Sequence, residues 1–174
     1  MIQPIKSYAA LKLMFVAVTI LVVCRIAFLY FSPILLLNIT PSMPKGFYYV
    51  SIREELKKGD FVAFRLPQEV RESLGARSWL HPRYPFIKTI GAVSRDFICR
   101  NSNQFSINEK QIFSVSKKDQ QGQDLPVWSG CQTIKENYFV PIGQNAKSFD
   151  ARYFGEISNK HIICLLYTSD AADE

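Results

Sequence analysis

The chain has 174 residues, 48% hydrophobic and 21% charged, with 13 Phe and 8 Tyr, a composition that suits a folded domain plus a membrane segment and excludes a disordered chain. Its formal charge of +6 comes from Lys and Arg scattered along the sequence, with doublets only at Lys57-Lys58 and Lys117-Lys118; no basic stripe marks a nucleic-acid groove, and attraction to an anionic membrane surface accounts for the excess. Beyond one long apolar stretch near the start, residues 38–163 number 126, enough for one compact domain and too few for a second catalytic one.

Residues 1–12 carry Lys6 and Lys12 and are expected on the cytoplasmic side of a membrane anchor at 13–37. That stretch, LMFVAVTILVVCRIAFLYFSPILLL, holds a single charge, Arg25, and as a helix it would reach about 37 Å against ~30 Å of hydrocarbon. A cleaved secretory signal has an apolar region of only ~7–15 residues ending at a small-residue site, and neither feature stands out here. Arg25 snorkels, pairs with a partner helix or marks a shorter span ending near Cys24, and the sequence leaves all three open. Pro33 kinks or ends the helix, leaving 34–37 at the outer interface. Positive residues before the span place everything after Asn38 outside, although Lys45 and Arg53 follow soon after.

Beyond the anchor, Gly46-Phe-Tyr-Tyr-Val-Ser-Ile and Phe61-Val-Ala-Phe-Arg-Leu read as strands, rich in aromatic and β-branched residues. Gln68 to Leu74 offers one or two helical turns before Gly75 and the prolines at 82 and 85 break the backbone, making a lid-like insertion. Strand character returns at Pro85-Phe-Ile-Lys-Thr-Ile-Gly-Ala-Val, Phe97-Ile-Cys-Arg, Gln104-Phe-Ser-Ile-Asn, Gln111-Ile-Phe-Ser-Val and Tyr138-Phe-Val-Pro-Ile-Gly, with a polar loop at 117–123 and a turn-rich segment at 148–155. Short strands at short spacing predict a mainly β domain, barrel-like or a sandwich. Cys99 and Cys131 fall in the part expected outside the membrane, where an oxidising compartment lets them pair as a disulfide. There is no CxxC, and the only histidines are His81 and His161, so neither a metal nor another cofactor is expected.

No glycine-rich phosphate loop, HExxH or GxSxG occurs. The surroundings of His81 and His161 give a Ser-His-Asp triad no support and read as surface or packing positions, so a serine enzyme on this chain needs a lysine as base. Ser42-Met43-Pro44 follows the anchor closely, and Phe86-Ile-Lys88-Thr-Ile sets one lysine among apolar neighbours. Burial lowers a lysine from about 10.4 by up to ~3–5 units, which yields a neutral amine able to take a serine proton. Taken alone, Ser42 reads equally as a turn serine and Lys88 as a lysine on an exposed strand face.

Four ordered segments weigh between these readings: Asn38-Ile-Thr-Pro-Ser-Met-Pro-Lys-Gly, Lys57-Lys-Gly-Asp-Phe-Val, Ile87-Lys-Thr-Ile-Gly-Ala and Ser148-Phe-Asp-Ala-Arg-Tyr-Phe-Gly. With the anchor before them they resemble the signal peptidase I family of serine-lysine peptidases over nearly the whole chain, and within it the conjugative-transfer peptidases of the TraF type. The resemblance implies Ser42 as nucleophile, Lys88 as general base, and Thr40 with the Ser42 N–H as oxyanion donors. It implies Ser148 as the residue that hydrogen-bonds and orients the lysine, and Asp150 with Arg152 as a structural ion pair. Leu125-Pro-Val-Trp-Ser-Gly-Cys131 is similar to the conjugative branch, where an earlier cysteine accompanies it, in support of the Cys99–Cys131 pairing.

Pro41 stands where leader peptidases often have glycine, Thr89 where arginine is common, and Gly143-Gln-Asn-Ala-Lys-Ser replaces a longer stretch. These departures point from housekeeping signal-peptide removal toward maturation of a conjugative pilin subunit, with cyclisation as a further step. The expected organisation is a cytoplasmic 1–12, an anchor at 13–37 in a bacterial inner membrane, and a periplasmic peptidase domain at 38–163. Its partners are the bilayer and a membrane-held precursor, either pilin or signal-peptide-bearing. General signal peptidase activity and a non-catalytic membrane-tethered scaffold are the rival readings. Residues 164–174, CLLYTSDAADE, resemble the translation of a sequencing-library adapter, so the native sequence is expected to diverge after about Ile163.

Overall fold

A computed structural model describes residues 5–31, 35–51, 55–81, 84–101 and 103–167. Pro33, the 34 position, Arg53, Pro82 and the tail from 168 to 174, all of which figure in the sequence expectations, lie outside them, as do residues 1–4. The chain falls into two compact units, residues 1–35 and 36–174.

The first unit is a single helix, α1 (Ile5–Phe31), and its stretch Ala10–Phe28 is long and apolar enough to cross a membrane. Arg25 falls inside that stretch. The helix begins before residue 13 and does not continue to 37: Leu35–Asn38 is a strand, β1. Along β1, Leu35 and Leu37 are exposed, Leu36 is half-buried and Asn38 is buried, the two-residue period of a strand. A run of three leucines carries no alternation that would reveal this.

The second unit is mainly β. Its elements are β2 (Gly46–Ser51), β3 (Phe61–Phe64), α2 (Gln68–Leu74), β4 (Phe86–Ala92), β5 (Phe97–Asn101), β6 (Gln104–Ile107) and β7 (Lys110–Ser114), followed by β8 (Gly130–Thr133), β9 (Tyr138–Ile142), α3 (Ala151–Phe154), β10 (Ile157–Ser158) and β11 (Ile162–Tyr167). Among the described residues one sheet runs β1-β2-β11-β3-β4-β9-β10 and a second runs β7-β6-β5-β8. Ile98, Phe105 and Ile107 of the second sheet pack with Ala92, Val140 and Ile142 of the first, so the two share one core.

β4 lies between β3 and β9, antiparallel to both, with Lys88 opposite Val62 and Thr89 opposite Ile142. This central place, more than any alternation in sequence, buries residues on both faces of β4. The register of β4 against β9 shifts between Ile90 and Ala92. Gly91 sits at that bulge, where an added Cβ would come 2.7 Å from Ile142 Cγ1. The hairpin from β6 to β7 turns through Asn108 and Glu109, both at positive φ, as a two-residue turn of the type that matches strand twist.

β8, β10 and β11 are strands that the sequence does not announce. Gly130-Cys-Gln-Thr is exposed throughout and is held by pairing with β5, where Cys99 and Cys131 stand opposite each other and are joined by a disulfide. β11 takes in residues 164–167: Leu165 and Leu166 are buried, and the strand pairs with both β2 and β3. The polar loop expected at 117–123 is itself structured, with Asp119 accepting from the N–H groups of Gln121 and Gln123.

Because the disulfide spans 32 residues, its reduction should destabilise the second unit by roughly 3–4 kcal/mol. A fall in Tm on adding reductant, absent in the Cys99→Ser/Cys131→Ser double variant, is the expected outcome of thermal unfolding.

Candidate active site

The turn between β1 and β2 is built by Asn38. Its Nδ2 donates to the carbonyls of Thr40 (3.1 Å), Met43 (3.1 Å) and Pro44 (3.0 Å), and its Oδ1 accepts from the Thr40 N–H (3.1 Å) and the Thr40 hydroxyl (2.8 Å). The contact with the N–H two residues on is the Asx-turn pattern, the local signal from which this role could have been read. Tyr48 donates its hydroxyl to the Pro44 carbonyl at 2.8 Å, and Met43 is buried with Tyr48, Ile87 and Leu166 beneath the turn. The half-buried Ser42 therefore rides on a fixed backbone.

Thr40 has one hydroxyl proton and gives it to Asn38, so in the 3.1 Å contact between Thr40 Oγ1 and Ser42 Oγ the serine is the donor. The Ser42 proton thus points to Thr40 in this state, and no hydrogen bond joins Ser42 to Lys88. Lys88 is 2% exposed in the middle of β4. Burial pushes its amine from 10.5 down to about 8; Asp150 opposes that shift and Arg152 adds to it.

The segment from Gly143 to Arg152 closes over the lysine. An added Cβ at Gly143 would lie 2.3 Å from Ser148 Oγ and 3.2 Å from Lys88 Nζ, so the two groups converge on the space that glycine leaves open. The expected hydrogen bond between Ser148 and Lys88 is not formed: Ser148 Oγ is buried without a hydrogen-bond partner among the described residues. Arg152, 0% exposed, donates Nε and one terminal nitrogen to the two oxygens of Asp150, each at 2.8 Å. It also donates to the carbonyls of Asn145, Ala146 and Ser148, while Asp150 accepts from the Gly143 N–H at 2.8 Å. The pair fastens both ends of the segment, and the Gln144 N–H donates to the Ser42 carbonyl at 2.9 Å, linking it to the turn that carries Ser42.

Thr40, Ser42, Lys88 and Ser148 line one cleft of about 950 Å³. Its walls include residues with no role in the sequence expectations: Trp79, Phe86 and Phe149, and part of the 116–125 loop. His81 is exposed on this wall with its ring 4.4 Å from that of Tyr84, and His161 lies in a short turn before β11, so the histidines occupy surface positions. Among the described residues no group of three or more His, Cys, Asp or Glu is arranged to hold a metal ion.

The family model for signal peptidase, peptidase S26, matches residues 7–166. No curated protein sequence matches the chain. Among solved structures, a signal peptidase I from Enterococcus faecalis V583 aligns with a TM-score of 0.40 at 18% identity, covering 67% of this chain and 100% of that one.

Two outcomes follow from this geometry. A lysine whose amine is held at about 8 in the fold and 10.5 in the open chain costs stability fully below pH 8, and the cost disappears as pH rises to 10.5. Lys88→Met should therefore be more stable than wild type by roughly 3 kcal/mol at pH 7, with the difference closing toward pH 10.5 in denaturant titrations at both pH values. Asn38→Ala leaves the carbonyls around the turn without their donor; it should lower stability by about 1–3 kcal/mol and reduce kcat more than it raises KM.

Proposed function

We propose a function from the premise that the chain belongs to the signal peptidase family, peptidase S26, and is a serine endopeptidase acting on a membrane-bound precursor. In this reading Ser42 is the nucleophile and Lys88 its base. The observation that carries it is a lysine amine at 2% exposure, brought to about 8, in the same cleft as a serine on a rigid turn. When substrate enters, the Ser42 hydroxyl turns from Thr40 to neutral Lys88 Nζ, which takes its proton as Oγ attacks the scissile carbonyl. The oxyanion accepts from the Ser42 N–H and from Thr40, whose hydroxyl leaves Asn38 to reach it; such a donor is worth about 10²–10³ in kcat. The Lys88 ammonium then protonates the leaving amine, and water releases the acyl group from Ser42. In this reading Ser148 Oγ, buried without a hydrogen-bond partner among the described residues, accepts a hydrogen bond from the ammonium formed in this step.

The finer reading is maturation of a conjugative pilin subunit from the periplasmic side of a bacterial inner membrane. It is supported by the Leu125–Cys131 motif with its disulfide to Cys99, by the compact 143–155 segment and by a helix able to span a bilayer. In this branch an amine of the precursor replaces water as acceptor and closes the chain. General signal-peptide removal is the second reading, favoured by the family model itself.

Co-expression with a candidate pilin, read by intact mass, separates these. Wild type should yield a processed product, and the hydrolysed and cyclised forms differ by one water. Ser42→Ala and Lys88→Ala should each leave the precursor uncut; processing at the normal rate in either variant would refute the dyad.

A further inference from the structure

Part of the cleft lining is aromatic, and polar contacts outside the proposed dyad hold the residues around it. Trp79 lies 5.1 Å from Phe149 between ring centroids, Phe149 stacks on Tyr153 at 5.3 Å, and Phe86 meets Phe149 edge-on at 6.5 Å. All four rings line the same cleft as Ser42 and Lys88. Phe86 precedes Lys88 by two residues on β4, so both side chains belong to one face of the strand. Phe149 directly follows Ser148. The aromatic end is thus continuous with the reacting groups.

Its roof is the loop from 117 to 124, fixed by a clasp. Arg77 pairs with Asp119 and donates to the Asp124 carbonyl. Both partners of the ion pair have side chains only 7% exposed. The Trp79 Nε1–H donates to the same carboxylate at 3.3 Å, and the Asp119 oxygens accept from the Gln121 and Gln123 N–H groups. The indole is held at its polar tip by Asp119 and across its face by Phe149, which leaves a preformed apolar wall. A built wall of this kind takes a side chain with little cost of rearrangement.

We propose that this aromatic end is a side-chain subsite that selects a bulky aromatic or aliphatic residue of the precursor, roofed by the loop that the Arg77–Asp119 clasp holds in place. It rests on the peptidase reading above. The occupant is a precursor side chain because the wall continues from Ser42, Lys88 and Ser148 within one cleft.

The test uses the full-length enzyme in detergent and a precursor peptide with alanine at the three positions on each side of the cut bond. Each position is replaced in turn by Phe. Wild type should prefer Phe over Ala at one position by about tenfold or more in kcat/KM, the scale set by burying one aromatic side chain. Trp79→Ala should bring that ratio close to one. Gln121→Trp, a change at an exposed cleft-lining position of the roof, should reverse it by filling the space. The ratio is taken within each enzyme, so a general loss of activity cancels, and Gln121→Trp decides if Trp79→Ala does not fold. Cleavage with no position favouring Phe, or a preference unchanged in the folded variants, would overturn the subsite alone. Absence of cleavage of every peptide by wild type would overturn the peptidase reading and the subsite with it.

Discussion

An amine taken out of water in the middle of a β-sheet loses its solvation, and the ammonium form is penalised unless a carboxylate stands against it. Lys88 is in that position: β3 and β9 flank its strand on both sides, and it is 2% exposed. The one carboxylate that acts on it, Asp150, is already committed to Arg152, and the arginine partly undoes the attraction. Burial therefore dominates the protonation state, and on the proposed reading the site obtains its base from a lysine's position in the sheet rather than from a histidine.

The rest of the cleft follows from that constraint. In the proposed dyad a neutral amine works only if the serine is delivered to it, and two separate buried devices hold the segments on either side of that meeting point. Asn38 holds the nucleophile turn by hydrogen bonds to its backbone, and the Asp150–Arg152 pair holds the 143–150 segment by contacts to Gly143, Asn145, Ala146 and Ser148. They meet where the Gln144 N–H donates to the Ser42 carbonyl. Breaking a buried ion pair by removing one partner leaves an uncompensated charge, and the fully buried arginine is accordingly matched by both Asp150 oxygens and by the backbone carbonyls around it. In the proposed dyad, the resting hydroxyl arrangement, Ser42 to Thr40 to Asn38, is one that substrate has to displace before the Ser42 proton reaches Lys88.

Much of this was legible in the sequence where residue type and order speak for themselves. Strands β2 to β7 and β9 announce themselves through aromatic and β-branched runs, α2 through its flanking breakers, and the scarcity of histidine pointed to lysine before any family was considered. The family was legible in four ordered segments. What sequence hid was what depends on tertiary placement. β8 is exposed along its whole length and is held to β5 by pairing and by the Cys99–Cys131 disulfide; β1 hides in a leucine run that reads as the interfacial end of the anchor. The clasp between Arg77 and Asp119 joins residues far apart in sequence, each of which reads as an ordinary surface charge. Asn38 opens the Asn-Ile-Thr-Pro-Ser-Met-Pro segment, yet its role depends on carbonyls that only the folded turn brings to its amide.

The central claim is that burial, aided by Arg152 and outweighing the pull of Asp150, makes Lys88 the base of the proposed dyad. The most direct measurement is the titration of the Lys88 amine itself, followed by NMR of lysine labelled at the carbon next to the nitrogen, alongside the pH dependence of kcat/KM. The account expects a midpoint near 8 and a rate that rises with the same midpoint as the proton leaves. A Lys88 amine that titrates at its ordinary value while the rate rises at a different pH would contradict it.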